Sequence, residues 1–350
     1  MNISKYIIYI PYRLAWLVAY NFRKNKTIHF YCAGQVDYVV MESIIQHFPE
    51  GVIVAKNRKV RNELKQYGIE SKLYPTFPDI VVIPRHTARK YPEPRIKKVG
   101  MRHGASNFKG NVKASRFHAF DIYFVASQRE VKQALDQGIE NTYAIGFTKM
   151  DPYFNGQINK EVLDAYKKRL ILDVNKPTII FTATWNKSGM SAIDQWINHL
   201  EELSEKYNIL VTVHHWMEKH YIKNLINNKK INFLTDKYIL PYLLLSDLMI
   251  ADSSSIIGDF CTLDKPIITF RVPYKKKVPE DIIEMIETIS FRINTYDELV
   301  DTIEEALKNP GKHAQKRKMY NSLLFESLDG NAGKRAANKI KELFFNEEDI

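Results

Sequence analysis

The feature that most constrains this chain is a repeated alternation of short, continuously apolar β-rich runs with helically spaced stretches. Thr27–Cys32, Val52–Ala55, Ile80–Ile83, Lys98–Met101, Ile122–Val125 and Thr142–Ile145 read as strands, with helices over Asp37–Phe48, Val60–Tyr67 and Glu130–Gln137. After the loop Gly146–Asn159 the alternation resumes. Strands are predicted over Thr178–Thr182, Ile209–Val213, Ile231–Leu234, Leu248–Ala251 and Pro266–Phe270. The helices of this second series cover Lys160–Leu170, Ala192–Tyr207, Lys219–Ile226, Tyr238–Leu245, Ser255–Leu263 and Asp297–Lys308. Runs without in/out alternation are strands buried on both faces, so the pattern dictates parallel βα units.

At 350 residues the chain exceeds the size at which single cores stop growing. The expectation is an α/β protein of two doubly wound Rossmann-like domains facing a cleft. Residues 1–150 form the first, with a C-terminal helix from about 330 to 350 packing back on it, and 151–330 form the second. Cys32 and Cys261 sit in apolar runs without metal-ligand spacing, so neither a disulfide framework nor a zinc site is expected, and no cofactor is called for. A reducing cytoplasm fits. The formal charge of +11 favours anionic partners. Its Lys and Arg residues are scattered and match no nucleic-acid module, which excludes nucleic acid as the partner.

From Tyr6 to Phe22 the chain is apolar almost all round, interrupted by Pro11 and Arg13 and followed by Arg23, Lys24 and Lys26. A helix of that length reaches roughly 25 Å, short of a bilayer's hydrocarbon core. Two readings remain open: a helix lying in a membrane interface, or one packed on its own domain.

Ligands of open parallel sheets bind beyond the carboxyl ends of the strands, and the unusual residues fall there. Met101–Gly110 carries His103, an imidazole suited to acid–base work, with Gly104 and Gly110 for close backbone approach and Lys109 as a phosphate charge. Asp252-Ser253-Ser254-Ser255 ends one strand and opens a helix, where N–H groups and hydroxyls suit phosphate oxygens, although one serine would also serve as a plain cap. His214 and His215 end another strand; as neighbours they should point in different directions, with one facing the cleft. Thr184 and Trp185 follow a third and either line a donor pocket or close a turn. P-loop, dinucleotide and nucleophile-elbow motifs are missing.

The order and spacing of these residues resemble the CDP-glycerol glycerophosphotransferase family of teichoic-acid and capsule enzymes. His103-Gly104 with Lys109 matches its His-Gly-x-x-x-Lys loop, and Gly146–Asp151 its Gly-x-Pro-Arg-x-Asp link. Ala183-Thr184-Trp185 matches Pro-Thr-Trp, and Thr212–His215 the strand ending in Pro-His-Pro. Asp252–Ser255, Asp259-Phe260 and Asp264–Ile268 match Asp-Tyr-Ser-Ser with its trailing motifs. The chain departs from the pattern at Ala105, Thr212 and Ser253.

The resemblance implies a GT-B fold. It also implies transfer of glycerol phosphate or a related polyol phosphate from a CDP-activated donor to a teichoic-acid-like or lipid-linked acceptor, at the inner face of an anionic membrane. His103 would be the base and His214 would bind or protonate the diphosphate. Asp252, Ser253, Ser254, Ser255, Thr184, Trp185 and His215 would surround the donor, and Gly104, Ser106 and Lys109 the acceptor phosphate. A sugar-nucleotide glycosyltransferase and a non-catalytic polymer-binding module are the competing readings.

Overall fold

The computed structural model describes residues 4–102, 104, 113–236, 238–275 and 278–345. His103, Ser106 and Lys109 lie outside them. The chain divides into one unit of residues 1–155 with 324–350 and a second of 156–323.

The first unit is built on a seven-stranded, all-parallel sheet: β1 (Ile28–Cys32), β2 (Val52–Ala55), β3 (Lys72–Leu73), β4 (Ile80–Ile83), β5 (Lys97–Gly100), β6 (Ile122–Val125) and β7 (Thr142–Ala144), in the order β3-β2-β1-β4-β5-β6-β7. Register is set by pairs such as Phe30 with Ile53 and Val82 with Val99. Apolar clusters cover both faces, which is why the inner strands read as unbroken apolar runs. The two-residue β3 lies in no apolar run and was not legible.

Helix Ser4–Phe22 belongs to this unit. Tyr12 and Trp16 are buried, the Tyr12 hydroxyl donating to Thr76 O (2.6 Å) and Trp16 Nε1 to Pro78 O (2.6 Å). Arg23 then binds Asp79 (2.5 Å). The opposite stripe of Ile10, Leu14, Val18 and Phe22 is exposed. The helix thus docks by one face and leaves an apolar face open. None of the described helices is long and apolar enough to cross a membrane.

Helix Ala332–Phe344 lies against helix Gln35–Ile45, and Ala336, Ala337 and Ile340 enter the same core cluster as β1. Gly333 is required there: a Cβ would sit 2.4 Å from the Ser43 carbonyl. Asp151 accepts the N–H groups of Ala332 (3.1 Å) and Gly333 (2.7 Å), and Gly146, at φ +91°, admits Arg335. The Gly146–Asp151 motif is therefore structural: it seats the C-terminal helix.

The second unit has six parallel strands, β8 (Thr178–Ala183), β9 (Asn208–Val213), β10 (Asn232–Phe233), β11 (Leu248–Ala251), β12 (Ile267–Phe270) and β13 (Phe291–Ile293), ordered β10-β9-β8-β11-β12-β13. The order reverses between β8 and β11. β13 and helix Glu280–Ile289 had no clear sequence signal. The single helix expected over Ala192–Tyr207 is instead Ile193–Trp196, a 3-10 turn Ile197–His199, and Leu200–Lys206. Burial of Ile193, Trp196, Ile197 and Leu200 holds the broken path against the sheet, tertiary packing overriding propensity. Asp264, in the left-handed region at φ 53°, accepts from Arg317 Nε (2.8 Å), and Lys265 Nζ donates to Leu244 O and Ser246 O. That motif is architectural too.

Candidate active site

In the second unit the strand order reverses between β8 and β11, and the carboxyl ends of two such strands are the position where doubly wound sheets hold ligands. Asp252, the first residue past β11, is completely buried. Its carboxylate accepts the N–H of Thr184 (3.0 and 3.1 Å), past the end of β8, and of Ala192 (3.2 Å), as well as that of Ser253. One anion thus ties the 184–192 loop to the serine turn. Burial pushes its carboxyl up to about 6, opposed by N–H bonds from Ser253, Thr184 and Ala192 and by the Ser191 hydroxyl. Asp252 positions backbone; it has no free face for chemistry.

Ser253 Oγ donates to Met190 O (3.2 Å), a second tie between the same two loops. Ser255 is the N-cap of helix Ile256–Cys261, with helical φ and ψ and no side-chain cap bond. Among the described residues the hydroxyls of Ser254 and Ser255 make no hydrogen bond. Capping therefore does not account for these two serines. Ser253 serves the loop, whereas Ser254 is half-buried and Ser255 exposed, so their hydroxyls are open to solvent or to a ligand.

β9 delivers the histidines. Main-chain His214 donates to Ala183 O (3.0 Å), and its ring Nδ1 accepts from Trp216 N (3.1 Å). With Nδ1 an acceptor, the neutral ring carries its proton on Nε2. His215 does not diverge from it: the rings stack, centroids 4.3 Å apart. Strand alternation fails because β9 ends at Val213 and both histidines lie in the following turn. Trp185 meets Trp216 edge-to-face at 5.3 Å. Beneath them Asn186 Nδ2 donates to Glu218 (2.6 Å), which also pairs with Lys187 (2.7 Å), clipping the turn after β8 to the turn after β9. Lys187 and Asn186 hold the exposed Glu218 carboxyl below its usual range. Neither Glu218 nor Asn186 carried a sequence signal, because a lone surface carboxylate and amide look alike wherever they occur.

A hollow of about 520 Å³ in this unit lies at the opposite, amino end of the strands, lined by Lys176, Pro177, Asp247, Asp264, Lys265 and Pro266. Its lysines are engaged with carbonyls, Lys176 with Ser204 O and Lys265 as above. It holds none of the strand-end chemistry.

At the carboxyl edge of the first unit, buried Asp37 accepts the Ala33 N–H (2.7 Å) and both its oxygens take Arg85 Nε (2.8 and 2.9 Å). His86 follows, stacked on Tyr123; burial, with Arg102 and Arg116 nearby, pulls it down to about 4, so it is neutral at pH 7. Gly104 lines a small hollow with Met101 and Arg102, and among the described residues a Cβ there would meet no atom within 4 Å. Among the described residues no cluster of three or more His, Cys, Asp or Glu side chains is arranged to hold a metal.

The profile of the family described as CDP-Glycerol:Poly(glycerophosphate) glycerophosphotransferase matches residues 95–342. The chain belongs to this family. The match runs from before β5, through residue 103, to beyond the serine turn. Two curated relatives are a teichoic acid poly(glycerol phosphate) polymerase of Bacillus subtilis strain 168, 24% identical over 36% of this chain and 18% of the relative, and a teichoic acid poly(ribitol-phosphate) polymerase of Bacillus spizizenii, 23% identical over 65% of this chain and 38% of the relative. The chain spans less than two fifths of the length of either. The solved wall teichoic acid polymerase TagF (H444N variant soaked with CDPG) superposes with a TM-score of 0.68 at 16% identity, covering 97% of this chain and 96% of that one. That likeness is one of fold: two Rossmann-like α/β units of the GT-B type.

Proposed function

We propose that this family member transfers glycerol phosphate, or a related polyol phosphate, from a CDP-activated donor to a hydroxyl of a teichoic-acid-like or lipid-linked acceptor. The observation that carries the reading is the serine turn at the strand-order reversal, fastened by buried Asp252 yet leaving the Ser254 and Ser255 hydroxyls unspent. Those hydroxyls, with His214 Nε2, are donors suited to diphosphate oxygens. The acceptor oxygen attacks the glycerol-bearing phosphorus, the bond to the bridging oxygen breaks, and CMP leaves with that oxygen. His103 takes the hydroxyl proton, with Gly104, Ser106 and Lys109 beside the acceptor phosphate.

Association with an anionic membrane at its cytoplasmic face is part of the proposal. The exposed stripe Ile10, Leu14, Val18 and Phe22, beside exposed Lys24, has the character of an interfacial helix. The test of the whole reading is a donor panel of CDP-glycerol, CDP-ribitol and UDP-sugars with a glycerol-phosphate primer, scored by nucleotide release. CMP release from a CDP-polyol is the expected result. Turnover of a UDP-sugar instead would replace phosphotransfer by glycosyl transfer.

A further inference from the structure

Of the four tryptophans, Trp16 and Trp196 are core residues and Trp185 is half-buried, but Trp216 is 61% exposed. An indole left in water forgoes the burial that normally retains so large an apolar side chain. This one is nonetheless held firmly. Its backbone N–H is bound by His214 Nδ1 (3.1 Å), and its ring meets those of Trp185 (5.3 Å, 84°), His214 (5.3 Å, 70°) and His215 (5.2 Å, 59°). The Asn186–Glu218–Lys187 clip fixes the two turns that carry Trp185 and Trp216. Trp185 in turn is one residue from Thr184, whose N–H is bound by Asp252. A rigid, exposed aromatic surface is therefore chained to the serine turn through Thr184 and Trp185.

We propose that Trp216 is the stacking platform for the aromatic base of the nucleotide donor. The inference rests on the donor-site reading above and deepens it. A base offers a flat π-face for an indole to cover, and a ring fixed beforehand by its neighbours loses little freedom when it does so. Phosphate groups gain nothing from such a surface, so the hydroxyls and His214 serve the diphosphate while Trp216 serves the base.

The experiment is calorimetric titration of the protein with CMP and with ribose 5-phosphate, the same phosphosugar lacking the base. Wild type, Trp216→Ala and Trp216→Phe are compared. In wild type CMP should bind about tenfold or more tighter than ribose 5-phosphate, the range that base–aromatic stacking supplies. Trp216→Ala should lose most of that advantage and leave ribose 5-phosphate affinity unchanged. Trp216→Phe should keep much of it. The Trp216 N–H to His214 survives in both variants, so ribose 5-phosphate reports on the phosphate side. Undiminished CMP affinity in Trp216→Ala, or an equal loss for both ligands, would overturn the assignment while leaving the donor site standing. A wild type that binds neither ligand would overturn the donor site and the assignment together.

Discussion

The carboxylate of Asp252 accepts the N–H of Thr184 at 3.0 Å, joining the ends of β11 and β8 across the reversal of strand order. It is the linchpin of the candidate donor site although it touches no ligand in the proposed mechanism. The ionised form is the stronger acceptor for the N–H groups of Thr184, Ala192 and Ser253, so donor affinity should hold level above pH 7 and fall as pH drops through about 6. Asp252→Asn should bind CDP-glycerol, whose diphosphate diester does not titrate in this range, weakly at every pH and lose that step. The stability effect has the opposite slope. The folded carboxyl keeps its proton up to about 6 and the unfolded one loses it near 3.8, so the folded state binds more protons in between. Its contribution is complete below about pH 4 and is lost as pH rises through 6, on the order of 3 kcal/mol. Urea unfolding of wild type against Asp252→Asn at pH 4.5 and 7 measures it; a constant difference would show that the carboxyl is not perturbed.

Ser254 and His103 should fail differently. Ser254→Ala removes a hydroxyl that neither caps the helix nor bonds a described neighbour, so it should leave the thermal midpoint unchanged and weaken CDP-glycerol binding by about 1–3 kcal/mol, the cost of a hydrogen bond to a charged group. His103→Ala should lower turnover roughly 10²-fold with donor affinity nearly intact. Normal donor binding in Ser254→Ala would leave the serine without a role in the site.

The fold was legible because buried parallel strands print themselves as unbroken apolar runs, and Val52–Ala55, Ile80–Ile83, Ile122–Val125 and Leu248–Ala251 have the bounds their residues predicted. Lys72–Leu73 escaped because it lies in no apolar run, following Glu70 and Ser71, and Phe291–Ile293 because Arg292 breaks its run. At the site, the serine turn was legible as chemistry but not in its division of labour. That Ser253 serves Met190, that Asp252 reaches Ala192 sixty positions away, and that the two histidine rings stack all depend on where distant loops fold back. Sequence spacing cannot supply such contacts. It also assigned one status to all the family motifs, whereas Asp151 and Lys265 turn out to hold architecture.

Gly333→Ala tests that architectural role. The added methyl would meet the Ser43 carbonyl at 2.4 Å, and backbone on both sides has little room to give. Overpacking of this kind costs about 1–3 kcal/mol, so the thermal midpoint should fall while CMP affinity, a property of the second unit, stays the same. An unchanged midpoint would mean that the C-terminal helix is not seated where Asp151 receives it.

Helix Ser4–Phe22 has two faces that should answer separately. Trp16 is buried, with Nε1 bonded to Pro78 O and its ring stacked on Tyr20 at 4.8 Å. Trp16→Ala should therefore destabilise the first unit by about 3–5 kcal/mol, the cost of emptying an aromatic site in a core. Deleting the whole helix would confound the two faces, since it would strip Tyr12 and Trp16 from the core along with the exposed stripe. Leu14 and Val18, 58% and 60% exposed, make few demands on the fold. The pair Leu14→Glu and Val18→Glu should leave the unfolding midpoint within a degree or two of wild type. In a flotation assay with vesicles containing phosphatidylglycerol, the same pair should release the protein, because two carboxylates then face an anionic apolar boundary. Retention of the double variant on the vesicles, with its fold intact, would show that the exposed stripe does not serve the membrane.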